Sequence, residues 1–81
     1  MSYEEIAEPV AVQALFEKGR LKPLAFLWQG RRYPVEQMRF HWQTREGRAT
    51  VHFFALVAGG QAWELSFRSD DLTWRLEKVW P

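Results

Sequence analysis

The chain contains no cysteine, so neither a disulfide framework nor a thiolate metal cage can stabilise it, and a cysteine nucleophile is excluded. It also lacks any run approaching the roughly 20 consecutive apolar residues that a membrane-spanning helix needs. The first residues, with Glu4, Glu5 and Glu8, show neither the basic nor the apolar region of a secretory signal. A cytoplasmic protein with no membrane partner is expected. A strong field of either sign is missing too: 11 basic side chains stand against 10 acidic ones, a formal net charge of +1. That balance argues against a dedicated, highly charged nucleic-acid binder. Asparagine is absent, and eight of the eleven basic residues are arginine.

What is present is aromatic. Five Trp, six Phe and two Tyr occupy 81 residues, and each large ring buries roughly 150–250 Å². A chain of this length buries only about 60–65% of the surface it exposes when unfolded, so these rings must supply the core unaided. There is room for one domain. The reading divides the chain into an acidic N-terminal extension, residues 1–8, and a single antiparallel β domain, residues 9–81. The charge is uneven across that boundary, because from Pro9 to Pro81 eleven basic residues face seven acidic ones. A modest basic face is therefore available.

Turn chemistry recurs about every ten residues, at Gly19, Gly30, Gly47, Gly59-Gly60 and Ser69-Asp70-Asp71. The intervals are strand length rather than helix length. They mark six candidate strands, near 8–16, 22–29, 32–43, 48–57, 61–68 and 72–79. Leu24, Phe26 and Trp28 alternate, as do Trp63, Leu65 and Phe67 against Glu64, Ser66 and Arg68. The run Val51 to Val57 is apolar on both sides and reads as an interior strand. Pro34 cannot donate to a ladder, so the third run should start on an edge or carry a bulge. Pro9 interrupts a near-helical spacing of Ile6, Val10, Ala14 and Leu15, which reads as a frayed or helical start followed by strand. The fold class is thus mainly β. It is read as a single small antiparallel meander of five or six strands, strongly curved or barrel-like, with a short N-terminal extension open to a helical form.

Catalytic groups are scarce. The hydroxyls lie in neither a nucleophile-elbow nor a phosphate-loop pattern, and Gly59-Gly60 reads as a hairpin turn. His41 and His52, the only imidazoles, sit on neighbouring strands and can approach across a ladder, but a zinc site wants three or four ligands. Asp70-Asp71 reads as a turn that caps its own backbone. No catalytic residue, metal or cofactor is expected. An enzyme with a pocket inside the sheet would need convergent polar groups, and Glu64 or His52 in a cavity would be the sign of one. Arginines interleave with aromatic positions, a pattern shared by ordinary soluble sheets and by single-stranded nucleic-acid surfaces. Arg31, Arg32, Tyr33, Arg39, Arg68 and Arg75 are the candidate contacts.

The run Pro23 to Val35 carries Phe26, Trp28, Gly30, Arg31, Tyr33 and Val35 in the order Phe-x-Trp-x-Gly-Arg-x-Tyr-x-Val. Trp42 follows seven residues later, and Trp74 to Trp80 closes the chain. From about Pro9 onward this pattern resembles a small uncharacterised bacterial β domain found alone or at the C-terminus of homologues of Y-family DNA polymerases. The resemblance implies a DNA repair or translesion setting and brings no activity with it. The expected function is a non-catalytic binding module contacting a DNA polymerase or other repair protein, or single-stranded DNA, through the hairpin around Gly30. The alternative is a structural or homo-oligomerising protein, a homodimer built on exposed edge strands and surplus Trp.

Overall fold

The computed structural model describes residues 2–81. Eight strands follow one another: β1 (Glu4–Pro9), β2 (Ala11–Glu17), β3 (Arg20–Trp28), β4 (Arg31–Pro34), β5 (Gln37–Glu46), β6 (Ala49–Ala58), β7 (Gln61–Arg68) and β8 (Thr73–Trp80). They form two antiparallel sheets, one ordered β1-β8-β7-β6-β5 and the other β2-β3-β4. Among the described residues there is no helix, and so none long and apolar enough to cross a membrane.

The mainly β, antiparallel expectation holds, and two finer expectations are corrected. Glu4–Pro9 is a strand on β8 and not a helix. The meander is not the single strongly curved or barrel-like sheet expected but breaks into two. The breaks fall beside two prolines. At Pro9–Val10 the chain leaves the larger sheet for the smaller, and after Pro34 it returns. Few backbone bonds hold these corners: Val10 N–H to Trp74 O, 3.2 Å, at the first, and Val35 N–H to Leu24 O and Glu36 N–H to Val57 O, both 2.8 Å, at the second. A residue without an N–H cannot hold a continuous ladder, so each long run bends there and changes sheet. Two of the six expected runs thereby become four strands.

Hairpin chemistry sets the register. Lys18-Gly19, Gln29-Gly30 and Gly59-Gly60 each place two successive residues at positive φ, the conformation of the two-residue turn whose twist matches the strands. At Gly59 the demand is also spatial, since an added Cβ would lie 3.4 Å from the Tyr33 ring. In the longer β7–β8 turn Asp71 accepts from the Thr73 N–H and hydroxyl, the self-capping role its sequence suggests.

The sheets face each other over one core. Phe54, Leu56 and Ala58 of β6, Trp63, Leu65 and Phe67 of β7, and Leu76 and Val79 of β8 meet Phe26 of β3. Trp63 stands at the centre, within 5.1 Å of Phe26, 5.0 Å of Tyr33 and 5.7 Å of Trp28 by ring centroids. Its indole N–H donates to Ala58 O at 2.8 Å. β3 departs from strict alternation. Ala25 pairs with Gln13 while Pro23 pairs with Ala14, leaving Leu24 as an extra residue, 39% exposed. The bulge lies next to the proline that cannot donate.

Candidate functional site

The smaller sheet does not cover the whole inner face of the larger one. Where the β2–β3 hairpin diverges from β5, β6 and β7, an open cleft of about 930 Å³ remains, near the upper end of the range that small-ligand sites occupy. Its apolar wall is Phe16, Leu21, Met38, Phe54 and Phe67. Strand alternation puts these side chains there: Met38 pairs with Leu56 and Phe67 with His52, so both share the face that carries Phe54. Phe16, at the end of β2, is 69% exposed yet reaches edge-on to Phe67 at 6.2 Å.

The polar groups in the cleft are His41, Gln43, His52 and Ser69. His41 lies flat over Phe54, 4.8 Å between centroids and 2° between planes, and stands 6.0 Å from His52. The approach across the ladder suggested by the sequence therefore occurs. His52 Nδ1 is buried without a hydrogen-bond partner, which in an apolar setting costs about 1–3 kcal/mol. Burial, reinforced by the neighbouring His41, holds the His52 imidazole below its ordinary pKa of 6.5.

That shift has a pH signature. The unfolded chain takes up a proton near pH 6.5, whereas folded His52 resists it, so the stability due to neutral His52 is present above 6.5 and is lost as pH falls through the folded value. Thermal melts of the native protein are expected to drop between pH 7 and 5, and those of His52→Gln to drop less. Glu64 acts with the opposite sign. Burial raises its pKa, against a smaller lowering by Lys78 and a raising by Glu77, so its contribution is present below its ordinary 4.5 and is lost as pH rises through the folded value. Equal slopes for native and His52→Gln proteins between pH 7 and 5 would show that His52 does not titrate in this way.

The rim of the cleft is basic. Lys18, Arg20 and Lys22 project from the turn and first residues of β3, with Glu17 as the only acid among the lining residues. Lys22 and Arg20 are exposed and alternate with Leu21, which turns inward. None of the three takes part in the ion pairs found among the described residues, which join Arg68 to Glu46 and Asp70 and Arg75 to Glu77.

The residues singled out from sequence occupy other places. Arg31, Arg32 and Tyr33 share β4, where Arg31 lies over the Tyr33 ring at 5.4 Å and Arg32 donates to Gln13 at 2.8 Å. Tyr33 itself stacks on Phe26 at 5.0 Å. Arg39 is the extra residue of a bulge in β5. Arg68 and Arg75 lie on the opposite sheet face from the cleft, the first held by Glu46 at 2.9 Å and the second donating to Ala7 O at 2.8 Å. The structure gathers Arg31, Arg32 and Tyr33 together and separates them from the other three. Glu64 also lies away from the cleft, paired with Ala55 and Lys78 on the far face.

No family model, no curated protein and no solved structure matches this chain. The site therefore rests on its own chemistry. Among the described residues there is no group of three or more His, Asp or Glu that could hold a metal ion. What the cleft offers is a flat ring, an aromatic wall and, at its rim, three cations outside any ion pair among the described residues. Of these, Arg20 and Lys22 alternate with the inward Leu21, and Arg20 stands across the ladder from Glu17.

Proposed function

We propose that the protein is a non-catalytic binding module and that its ligand is a single-stranded nucleic acid held in the cleft between the two sheets. The observation that carries this reading is the coincidence of an exposed ring and a basic rim on one opening. Phe16 and His41 stand in the same cleft as Lys18, Arg20 and Lys22. Single-strand binding needs those two parts, π-faces for bases and cations for phosphates. The opposite face of the larger sheet fits such a ligand less well, because its cations Arg68, Arg75 and Lys78 lie among Glu46, Glu64 and Glu77. A DNA repair setting, with a polymerase or other repair protein nearby, is consistent with such a ligand and rests on the sequence resemblance alone.

Fluorescence anisotropy of a labelled oligonucleotide tests the reading. Binding at about 50 mM salt that weakens steeply by about 200 mM is expected, because phosphate contacts release counterions. Absence of binding at the lower salt would overturn it.

A second reading, a pocket for a small anionic molecule and with it the enzyme alternative, is favoured by His52 standing in the cleft with its Nδ1 unpartnered, while Glu64 lies outside it. It makes a distinct forecast. A mononucleotide would then bind as tightly as the oligonucleotide, and the affinity of His52→Gln would fall for both.

A further inference from the structure

We infer that β5 is a self-pairing edge, through which two copies of this chain join their five-stranded sheets antiparallel about a two-fold axis at His41.

β5 is the last strand of the larger sheet, paired with β6 on one side only. Nine of its ten residues are exposed. A free edge is a row of unpaired N–H and C=O groups, and sheets ordinarily protect one with brevity, proline, lysine or a bulge. Two of the other three edges are protected in those ways; the third, β2 of the smaller sheet, is also open but shorter, at seven residues. β4 has four residues and ends in Pro34. β1 carries Glu4, Glu5 and Glu8 and is interrupted where Ala7 takes a positive φ of 52°. β5 contains neither lysine nor proline, and its one bulge, between Met38 and Phe40, leaves the ladder from Phe40 to Glu46 regular.

The side chains of β5 add an apolar patch to that edge. Phe40 and Trp42 pair with Ala55 and Phe53, residues of the face turned away from the cleft, and are 68% and 40% exposed. Trp42 lies parallel to Phe53, 5.3 Å between centroids and 9° between planes. These rings contribute to no core.

The order of residues favours a second copy as the occupant and selects the register. With the axis at His41, Phe40 falls opposite the partner's Trp42 and Trp42 opposite the partner's Phe40. The four rings then continue one stripe between the two Phe53 side chains, and such aromatic cross-strand pairs stabilise a ladder. Arg39 falls opposite Gln43 and Arg45 opposite Gln37, so no like charges meet within β5, Glu46 facing Glu36, the residue that precedes the strand. Moving the axis to Trp42 sets Arg39 against Arg45, and moving it to Gln43 sets Phe40 against Glu46. Both are inferior in charge or in burial. The interface is independent of nucleic-acid binding, although His41 and Gln43 also border the cleft.

Light scattering on a gel-filtration column tests the inference with the native chain, from about 10 μM to about 1 mM, as suits a small interface below ~1,200 Å². The expected result is a monomer–dimer equilibrium that Phe40→Glu weakens by at least about 10-fold while circular dichroism stays unchanged. Because the chain has no cysteine, His41→Cys carries a single thiol, placed on the axis where directly opposed residues are close enough to bridge. Mild oxidation should cross-link it to a dimer and should not cross-link Leu15→Cys, a control on the smaller sheet. A monomer at all concentrations would overturn the proposal. So would a dimer that Phe40→Glu leaves intact or that His41→Cys cannot cross-link.

Discussion

Trp63→Ala is expected to lower the melting temperature by roughly 12–40 °C. The residue is 1% exposed, meets from the larger sheet three rings of the smaller one and donates its indole N–H to Ala58 O. Truncating a large buried aromatic costs about 3–5 kcal/mol, and the whole stability of a chain this size is on the order of 4–12 kcal/mol. With no disulfide to limit the unfolded state, nothing offsets the loss. Trp63→Phe keeps most of the volume and forfeits the hydrogen bond to a buried carbonyl, a loss of about 1–3 kcal/mol. That should lower the melting temperature by roughly 5–20 °C. Chemical denaturation followed by circular dichroism checks both. An alanine variant melting within a few degrees of the native protein would show that the two sheets are not joined through this ring cluster.

The importance of Trp63 was legible in its alternation with Leu65 and Phe67, because a strand with one buried face writes a period of two into the chain. Turns were legible for a similar local reason: glycine pairs reach the positive φ that short hairpins demand. The corners were not legible as corners. Apolar alternation runs on through Val10 and Val35, and only Pro9 and Pro34 signal that the ladder cannot continue. A proline reads equally as an edge, a bulge or a change of sheet, and the choice is made by tertiary packing. That is why one curved sheet was expected and two flatter ones are found.

The cleft was hidden for a different reason. Its walls come from β2, β3, β5, β6 and β7, so no spacing along the chain brings His41 and His52 to Lys18 or Phe16. One local signal existed. Phe16, Lys18, Arg20 and Lys22 surround a tight Lys18-Gly19 turn, a cationic hairpin with a ring at its base, yet the glycine drew attention as punctuation. Arginine frequency instead pointed to Arg31, Arg32, Arg39, Arg68 and Arg75, all but Arg39 of which the structure shows engaged with Tyr33, Gln13, carboxylates or backbone. Abundance along a chain does not report which cations are left over after folding.

That distinction is what the second large effect measures. Replacing Lys18, Arg20 and Lys22 together by alanine should weaken oligonucleotide binding on the order of 100-fold at about 50 mM salt, about 0.9 kcal/mol for each of three exposed contacts, below the roughly 1.5–3 kcal/mol of a fully formed charge-assisted bond. The dependence of log affinity on log salt should flatten by about 2, from roughly 0.7 for each single-strand phosphate lost. Folding should be little affected, because exposed side chains away from caps and cores change stability by about 0.5 kcal/mol or less. Arg31→Ala with Arg32→Ala is the matched comparison. If the cleft holds the ligand, that pair should alter affinity by no more than about 3-fold. The reverse pattern, loss on removing Arg31 and Arg32 and none on removing the rim, would place the ligand on the β3–β4 hairpin and leave the cleft without one.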